Sequence, residues 1–493
     1  MKAFYTLVIL ITGFLQLSAQ NNALNEFHKS FTLDSVSHLR NPAMGWVLYE
    51  EGASFLEEHK NYDPEIFWEE MDEVDAANYA NILYIRVLWK VMEPEEGKYA
   101  WEFNKEYQEY IRKAEERGLK LAFRIFFDNG TPDWVYQAGA KSTLEQPLNL
   151  DNDKQPYYDD PVFLEKLQNF IKALAEEYDD PSRVDFVDAY GLGRWGEGHG
   201  VTLKDQDNYK NVIEKVTNAY ARYFKNILTV YNLSRNDWHY SKPLVFDKLG
   251  FLPRRDGIGS HWFDDTERAY LKELFPDKAL IGEGTYWFGA RDKDTTAHTK
   301  EPFLKDPRFP NMKYWTDALS VALDDALSSH SNTFDLRTPF ESKVWIEKLP
   351  EKVQKFTTYG GYRLYPDSIV VKQDNRKLII DHFWKNFGVG VLPNNHPNWN
   401  NKYKVAFALL DPKTQKVAHT FIDPIANPGK WLKGPLYSYT NFKHEIPKSI
   451  EAGKYDLVVS IIDNTTGKVG IKLSVKESQL IKNWGFIKKY SID

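Results

Sequence analysis

Two patterns in the 493-residue sequence predict a (β/α)8 barrel followed by a C-terminal β-sandwich. From about residue 41 to residue 349, short apolar runs alternate with longer amphipathic stretches, which is typical of parallel strands joined by helical crossovers. Beyond residue 351, strand-like runs follow one another with turn residues between them, which favours an antiparallel sandwich. The predicted domains are therefore a barrel over residues 21–350 and a sandwich over residues 351–493.

Eight strands, all but one of them followed by a predicted helix, can be counted in the first region. The predicted strands are 45–49, 81–87, 120–126, 184–190, 244–246, 257–261, 279–282 and 332–335. The predicted helices are 64–78, 105–117, 161–178, 208–231, 267–274, 314–328 and 340–348. Asp160 before Pro161 is typical of a helix start, because a carboxylate caps the first turn and proline suits its first position. Eight strands in this pattern match a barrel whose active site lies at the C-terminal ends of the strands.

The region after the barrel contains five runs of alternating or apolar character. The predicted strands of the sandwich are 368–372, 377–384, 404–410, 417–421 and 455–462. No low-complexity linker separates them from the barrel, so the two domains are expected to pack directly.

The first twenty residues predict a secretory signal peptide that is cleaved near Ala19. Lys2 supplies the positive start, an apolar stretch covers residues 4–14, and small residues precede Gln20. No other apolar run reaches membrane-spanning length, so no membrane insertion is expected. A formal net charge of −7 argues against nucleic acid as a partner. The sequence has no cysteine, so a secreted or periplasmic location is expected without disulfides.

Two glutamates, each flanked by glycines and close to a tryptophan, are the candidate catalytic residues. Glu197 and Glu283 each follow a short apolar run, which would place both carboxylates at the C-terminal ends of strands. Two carboxylates that face one another across a sugar ring are what glycosidic bond cleavage requires. Partial burial against Trp195 would keep a proton on Glu197, and an arginine such as Arg86 would keep Glu283 ionised.

Further polar and aromatic side chains also follow the predicted strands, where they could contact a sugar. The candidate substrate-binding residues are Arg86, Asp128, Trp134, Arg194, Trp195, His199, His261, Trp262, Trp287 and Arg337. The arginines Arg86, Arg124, Arg194 and Arg337 either order the catalytic carboxylates or bind an acidic group on the sugar. The ordering role is favoured, and an anionic carbohydrate stays an open alternative. Asp188 is a rival acid, but its position within a strand favours a hydrogen-bond network inside the barrel.

Metal and cofactor binding are not expected from the sequence. No His-Glu-x2-His or comparable spacing is present. The run Asp151-Asn152-Asp153 lacks the glycine turn and the terminal glutamate of a calcium loop, so a solvated loop is the favoured interpretation.

The stretch from Arg86 to Trp101, with the pattern Trp-x3-Glu-Pro-Glu-Glu-Gly-x-Tyr-x-Trp, resembles the second-strand region of clan A glycoside hydrolases, notably the β-galactosidase-like barrels. The Asn-Pro-x2-Gly-Trp start at residues 41–46, the Trp-Gly-Glu-x-His motif at residues 195–199 and the C-terminal β domain resemble an uncharacterised bacterial glycosidase family. The resemblance implies a general acid/base after strand four and a nucleophile after strand seven, where Glu197 and Glu283 fall.

The same resemblance implies an arginine at the end of strand two, matched by Arg86, and a histidine or tyrosine after strand six, matched by His261. The sequence departs from the pattern at Gly196, where clan A enzymes usually have asparagine, and it shows no tryptophan after strand eight.

The expected function is a secreted glycoside hydrolase that cleaves O-glycosidic bonds of a poly- or oligosaccharide with retention of configuration. One alternative is a non-catalytic carbohydrate-binding protein on a barrel scaffold. Another is a polysaccharide lyase that acts on a uronate-containing glycan.

Overall fold

The protein is described by a computed structural model that covers residues 25–50, 63–143, 154–260, 262–285 and 314–493. The predicted signal peptide, the 151–153 loop and two candidate site residues, His261 and Trp287, lie outside these ranges.

Eight parallel strands close into a barrel, which confirms the predicted fold. After an N-terminal strand β1 (Asn25–Ser30), the barrel strands are β2 (Gly45–Glu50), β3 (Ala80–Leu88), β4 (Lys120–Phe126), β5 (Val184–Asp188), β6 (Leu228–Asn232), β7 (Leu252–Ile258), β8 (Leu280–Gly284) and β9 (Ser331–Arg337). Most of their residues are buried on both faces, as expected of parallel strands covered by helices.

The predicted fifth and sixth strands are wrong. Residues predicted as strand 244–246 lie in the π-helix Lys242–Asp247, and the fifth barrel strand is β6, at the end of the stretch predicted as helix 208–231. The helix there ends earlier, at Tyr223, and Phe224 is already extended. The error arises because a five-residue run that is buried on both faces shows no alternation of apolar and polar residues. Its sequence therefore cannot be told from that of a buried helix. The sixth strand, β7, begins five residues before its predicted position.

Helices surround the barrel at nearly the predicted positions. They are Pro64–Glu73, Ala76–Tyr79, Trp89–Met92, Ala100–Phe103, Lys105–Glu116, Asp133–Gln137, Pro161–Tyr178, Tyr209–Tyr223, Trp238–Ser241, Asp265–Leu274, Trp315–Ser328, Pro339–Lys348 and Pro350–Tyr359. Asp160 caps Pro161–Tyr178 as predicted, accepting from the backbone N–H groups of Val162 and Phe163. Within the described ranges, no helix has the length and apolar character needed to cross a bilayer.

The C-terminal region forms two antiparallel sheets that share a buried apolar core. The strands are β10 (Leu364–Asp374), β11 (Lys377–Asn386), β12 (Tyr403–Leu410), β13 (Val417–Ile422), β14 (Tyr437–Glu445), β15 (Gly453–Asp463), β16 (Lys468–Ile471), β17 (Leu480–Ile481) and β18 (Trp484–Ile492). One sheet has the order β1-β10-β11-β14, and the other has β13-β12-β15-β18-β17 with β16 beside β15.

The observed contacts place both limits of the barrel differently from the predicted limits at residues 21 and 350. Asn25–Ser30 pairs with β10, so the N-terminal strand belongs to the sandwich and not to the barrel. Pro350–Tyr359 packs on the barrel, where the ring centroid of Phe356 lies 4.8 Å from that of Trp46. The sequence of a strand at the start of the chain does not indicate which domain the strand belongs to, because tertiary contacts decide which strand it pairs with.

The sandwich covers the N-terminal end of the barrel. The buried amide of Asn332 on β9 donates to the backbone oxygens of Ala43 and Val391, both at 2.8 Å, and its oxygen accepts from Val391 N at 3.0 Å. The His396 ring is 3.1 Å from the hydroxyl of Thr229 on β6. The barrel interior and the sandwich core therefore form one apolar cluster at this end, opposite to the strand ends that carry Glu197 and Glu283.

Candidate active site

One buried arginine contacts both candidate glutamates. Arg124 on β4 donates from Nη1 to Glu197 Oε1 at 2.6 Å and from Nη2 to Glu283 Oε2 at 2.8 Å. Its Nε donates to the Tyr84 hydroxyl at 2.8 Å, which fixes the guanidinium from the barrel interior. The shared guanidinium keeps these two carboxylate oxygens within about 8 Å of each other. The structure thus brings the two predicted residues together at the C-terminal end of the barrel.

Glu283 lies on β8 and is surrounded by positive charge. Arg254 on β7 contacts the same oxygen that Arg124 holds, and Arg337 Nη2 lies 3.6 Å from the other oxygen. Arg337 is itself held by Asp335 at 2.9 Å and by the Gly284 carbonyl oxygen at 2.5 Å. Guanidiniums at these distances favour an ionised carboxylate, which is the form that a nucleophile needs.

The predicted partner of Glu283, Arg86, is elsewhere in the site. Its guanidinium lies 5.5 Å from the ring centroids of Tyr49 and Phe126, and its charge acts to lower the pKa of Glu197. Arg124 and Arg254 fill the role that the sequence analysis gave to Arg86. Arg124 and Arg254 take this role in place of Arg86 because barrel closure puts their strands, β4 and β7, on either side of the polar centre.

Glu197 lies nine residues beyond the end of β5, and a compact loop folds it back over the barrel. Arg194 N donates to His199 O at 2.7 Å, and Gly198 N donates to Leu192 O at 2.9 Å. Gly193 has a φ of 71°, and a Cβ there would lie 2.6 Å from His199 O, so the loop requires glycine at this position. The glycines that flank Glu197 in the sequence are therefore the local reason for its position.

Two side chains outside the loop hold it in place. Asp128, which follows β4, accepts from Trp195 N at 3.2 Å, and Asn232 at the end of β6 donates to Glu197 O at 3.0 Å. Trp195 has a φ of 57°, an unusual value for a bulky residue, so the Asp128 contact stabilises a strained backbone. Burial raises the pKa of Asp128 to about 6. Asp128 thus has a structural contact with the loop that carries Glu197, and its sugar contact stays a prediction.

The electrostatic surroundings of Glu197 differ from those of Glu283. Burial raises the pKa of Glu197, and the charge of Asp256 raises it further, while Arg124, Arg86 and His199 act in the opposite direction. His199 Nε2 lies 3.9 Å from Glu197 Oε2 and 3.9 Å from Asp256 Oδ2. A raised pKa suits a general acid, because the group must carry its proton at the working pH.

Glu197, His199 and Asp256 also form the group that could hold a metal ion. One ligand atom of each lies within 4.8 Å of the others, and such spacing is found for no other set of three in the part of the chain that the structure describes. Carboxylate and imidazole ligands suit Mn²⁺ or Zn²⁺. These three residues lack the helical spacing of known metal motifs, because Glu197 and His199 lie on the loop after β5 and Asp256 lies on β7.

The predicted aromatic platforms have different environments. Trp195 and Trp262 are 42% and 43% exposed, and the Arg194 guanidinium lies 4.4 Å from the ring centroid of Trp195. Trp134 instead packs into the protein, with its indole N–H donating to Glu93 O at 3.0 Å and its ring 5.8 Å from that of buried Trp89. Trp195 and Trp262 are thus partly exposed to solvent, whereas Trp134 supports the loop after β3.

Asp188 joins the barrel-interior network that the sequence analysis favoured for it. Its Oδ2 accepts from the Tyr84 hydroxyl at 3.2 Å, and the Nε atoms of Arg124 and Arg254 lie 3.3 and 3.5 Å away. Burial raises the pKa of Asp188 to about 6 against the effect of Arg124. Asp188 therefore supports the arginines that hold the two glutamates.

Three residues of the site were missed from the sequence. Arg254 Nη1 donates to Asn232 Oδ1 at 2.6 Å, and Asp256 completes the cluster with His199. All three lie on β6 or β7, the strands that the sequence analysis misplaced. The signal that could have found Arg254 and Asp256 is the charged run Arg254-Arg255-Asp256 inside an otherwise apolar stretch, because charges in a barrel strand point to a polar interior.

No protein-family model matches the sequence, and no curated protein matches it. Similar solved structures include a β-galactosidase from Rahnella sp. R3, with a TM-score of 0.43 and 12% identity over 68% of this chain and 59% of that chain. Endo-glycoceramidase II from Rhodococcus sp. has a TM-score of 0.40 and 11% identity over 81% of this chain and 98% of that chain. A GH5_18 protein from Streptomyces cattleya has a TM-score of 0.39 and 15% identity over 61% of this chain and 70% of that chain.

The match therefore spans less than two thirds of the β-galactosidase chain. Because these TM-scores are low, the assignment of the fold rests on the closed eight-stranded barrel itself.

Proposed function

We propose that the protein is a glycoside hydrolase that cleaves O-glycosidic bonds of a poly- or oligosaccharide with retention of configuration. The observation that carries this proposal is the contact of Glu197 and Glu283 with opposite ends of one guanidinium, at the C-terminal end of the barrel. The two carboxylates differ in environment as the two roles require. Glu283 is held ionised by arginines, and Glu197 has a raised pKa.

The reaction proceeds in two displacements. The Glu283 carboxylate attacks the anomeric carbon while the bond to the leaving oxygen breaks, and Glu197 gives its proton to that oxygen. A covalent glycosyl ester on Glu283 results. Glu197, now ionised, takes a proton from water, the hydroxide oxygen attacks the anomeric carbon, and the ester bond to Glu283 breaks. Both carboxyl groups return to their starting forms.

The exposed indoles of Trp195 and Trp262 would stack against the faces of bound sugar rings. The buried arginines are occupied by carboxylates, which supports an ordering role for them and a neutral sugar at the point of cleavage. Secretion belongs to the same proposal, and the apolar N-terminal stretch with its small-residue exit supports it.

Chemical rescue tests the two roles separately. In Glu283→Ala, turnover of an activated aryl glycoside is expected to fall at least about 1,000-fold because no covalent intermediate can form. Added azide should restore turnover and give a glycosyl azide of inverted configuration. In Glu197→Ala, azide should give the retained configuration, because the intermediate still forms on Glu283. Asp265→Asn, at a fully exposed carboxylate, is the control and should behave as the parent.

Several results would overturn the proposal. Normal turnover in either alanine variant would remove the residue from the mechanism, and an inverted first product from the parent protein would exclude the double displacement. Products of a uronate-containing glycan that absorb near the ultraviolet edge would indicate a lyase. Binding of oligosaccharides without any cleavage by the parent protein would indicate a carbohydrate-binding protein.

A further inference from the structure

A cleft of about 330 Å³ lies between the N-terminal end of the barrel and the sandwich. On its barrel side, Lys120 and Asp185 lie near the starts of β4 and β5. On its sandwich side, Lys402 precedes β12 and Asp463 ends β15. The charged side chains that line it in the described part of the chain are Arg40, Lys120, Lys402, Lys468, Asp185 and Asp463. Four cations and two carboxylates leave an excess of two positive charges in the cleft.

Two of these cations have only backbone groups as hydrogen-bond partners. The Arg40 guanidinium donates to the backbone oxygens of Ala77 and Arg117. Lys120 Nζ donates to the two backbone oxygens of residues 181–182. Within the described ranges neither cation forms an ion pair with a carboxylate, and burial lowers the pKa of both side chains. Partly buried positive charge without a counter-ion is costly, so both side chains favour a bound anion.

The sandwich contributes a lysine and a buried indole to the same cleft. The Lys402 side chain is 9% exposed, and its Nζ lies 3.4 Å from Asp463 Oδ2 and 4.9 Å from the ring centroid of Trp399. Trp399 also lines the cleft and is 4% exposed, and its indole N–H has no acceptor in the part of the chain that the structure describes. A buried N–H group without an acceptor is costly, so an acceptor bound in the cleft would stabilise it.

One carboxylate is shared by lysines of the two domains. The charges of Lys120 and Lys402 both act on Asp185, whose carboxylate accepts from Ala43 N at 2.6 Å. A single carboxylate neutralises at most one of the two lysines, so positive charge remains beside it. An ionised Asp185 also repels an anion, and its charge therefore limits the affinity of the cleft for one.

The donors in the cleft define the chemistry of the ligand. Guanidinium, ammonium and indole groups donate hydrogen bonds and accept none, so the ligand must bring negative charge and several acceptor oxygens. We propose that the cleft binds a small oxyanion, sulfate or phosphate. The side chains that would hold it are Arg40, Lys120, Lys402 and Trp399. The cleft lies at the opposite end of the barrel from the candidate active site, so this binding goes beyond the proposed hydrolysis and does not depend on it.

Titration of the full chain with sodium sulfate and with sodium phosphate, followed by proton–nitrogen NMR of the indole N–H groups, tests the proposal. The Trp399 signal, assigned with Trp399→Phe, should shift and reach saturation, whereas sodium chloride at equal ionic strength should leave it in place. Lys120→Met and Lys402→Met should each raise the Kd at least about fivefold, because each removes a positive charge beside the oxyanion. Asp185→Asn should lower the Kd about threefold or more, because it removes the negative charge that opposes binding.

The oxyanion could be a free ion or an ester group on a sugar, and glucose monosulfate and glucose monophosphate separate the two sources. A lower Kd for the esters than for the free ions would identify a sugar ester, and an equal or higher Kd would identify the free ion. Lys482→Met is the matched control, because Lys482 also donates to a backbone oxygen, that of Thr414, but does not line the cleft. This variant should bind as the parent does.

A Trp399 signal that does not shift to saturation would overturn the proposal, as would a Kd that stays the same in both lysine variants. Asp185→Asn keeps an acceptor for Ala43 N, so it tests the charge of the cleft even if a lysine variant does not fold. An unchanged or higher Kd in this variant would also contradict the proposal. The titrations need no turnover, so their failure is distinguishable from a failure of the proposed function.

Discussion

At the N-terminal end of the barrel, amides and hydroxyls join the strands to the sandwich, whereas at the C-terminal end buried arginines and carboxylates pair with one another. Asn332 illustrates the first arrangement, with three hydrogen bonds to backbone groups of two segments. Arg124 illustrates the second, with contacts to Glu197, Glu283 and Asp188. Neutral hydrogen bonds are insensitive to pH, but buried ion pairs depend on protonation and leave costly unpaired charges when one member is removed.

The two ends of the barrel therefore differ in what they contribute. The covered end, with its apolar core and the hydrogen bonds of Asn332, stabilises the fold. At the charged end, burial of the charged groups costs desolvation free energy. The same ion pairs hold two carboxylates in fixed orientations with different protonation states. Mutations at the two ends should therefore separate stability from activity.

The largest expected effect comes from Arg124→Met. It leaves three buried carboxylates without their common partner, so turnover should fall at least about 1,000-fold and the free energy of unfolding by about 3–5 kcal/mol. Urea unfolding and kcat/KM would measure both. Arg183→Met removes an arginine that also pairs with two carboxylates, at Glu115 and Glu177, but at the surface, and should change stability by about 1 kcal/mol or less. Equal effects of the two substitutions would contradict the role given to Arg124.

At the opposite end, Asn332→Ala should reduce stability without reducing activity. Three buried backbone groups lose their partner, at a combined cost of about 3 kcal/mol or more in the free energy of unfolding. We expect kcat/KM to stay within about twofold at a temperature where the variant is folded, because the site is at the other end of the barrel. Asn395→Ala removes one exposed hydrogen bond at the same interface and is the matched control. A large loss of kcat/KM in folded Asn332→Ala would show that the two ends are coupled.

Two aspartates of β5 sharpen the comparison, because burial raises the pKa of each to about 6. The folded-state pKa of Asp185 lies above its ordinary value of 3.8, so its contribution to stability is present below about pH 4 and is lost as the pH rises through about 6. Asp185→Asn keeps an acceptor for Ala43 N, which lies 2.6 Å from the carboxylate. Above pH 6 this variant should be more stable than the parent by up to about 3 kcal/mol, with no gain at pH 4.

Asp188→Asn should likewise be more stable than the parent at pH 7, because its folded-state pKa is also raised above 3.8. It should lose activity, however, because Arg124 and Arg254 lose a charged partner. Urea unfolding of both variants between pH 4 and pH 8 and kcat/KM at pH 7 are the measurements. An equal loss of kcat/KM in the two variants would show that the two ends do not differ in the way described.

Much of the fold could be predicted because strand and helix periodicities are local properties. The helix Pro161–Tyr178 and the strand β4 were predicted to the residue, since a capping aspartate marks the helix start and β4 is a mostly apolar run that Arg124 interrupts once. Strands β6 and β7 were displaced because β6 is short and buried on both faces and β7 carries charges in its middle. The error in these two strands also hid Arg254, Asn232 and Asp256.

Local patterns were enough to predict that Glu197 lies after strand four, that Glu283 lies at the end of strand seven, and that glycines surround Glu197. The arginine that joins them, the place of Asp256 beside His199 and the pairing of β1 with the sandwich depend on tertiary contacts. The difference arises from separation along the chain. Glycine turns and apolar runs act on neighbouring residues, whereas the meeting of Arg124, Glu197 and Glu283, contributed by three different strands or the loops after them, exists only once the barrel has closed.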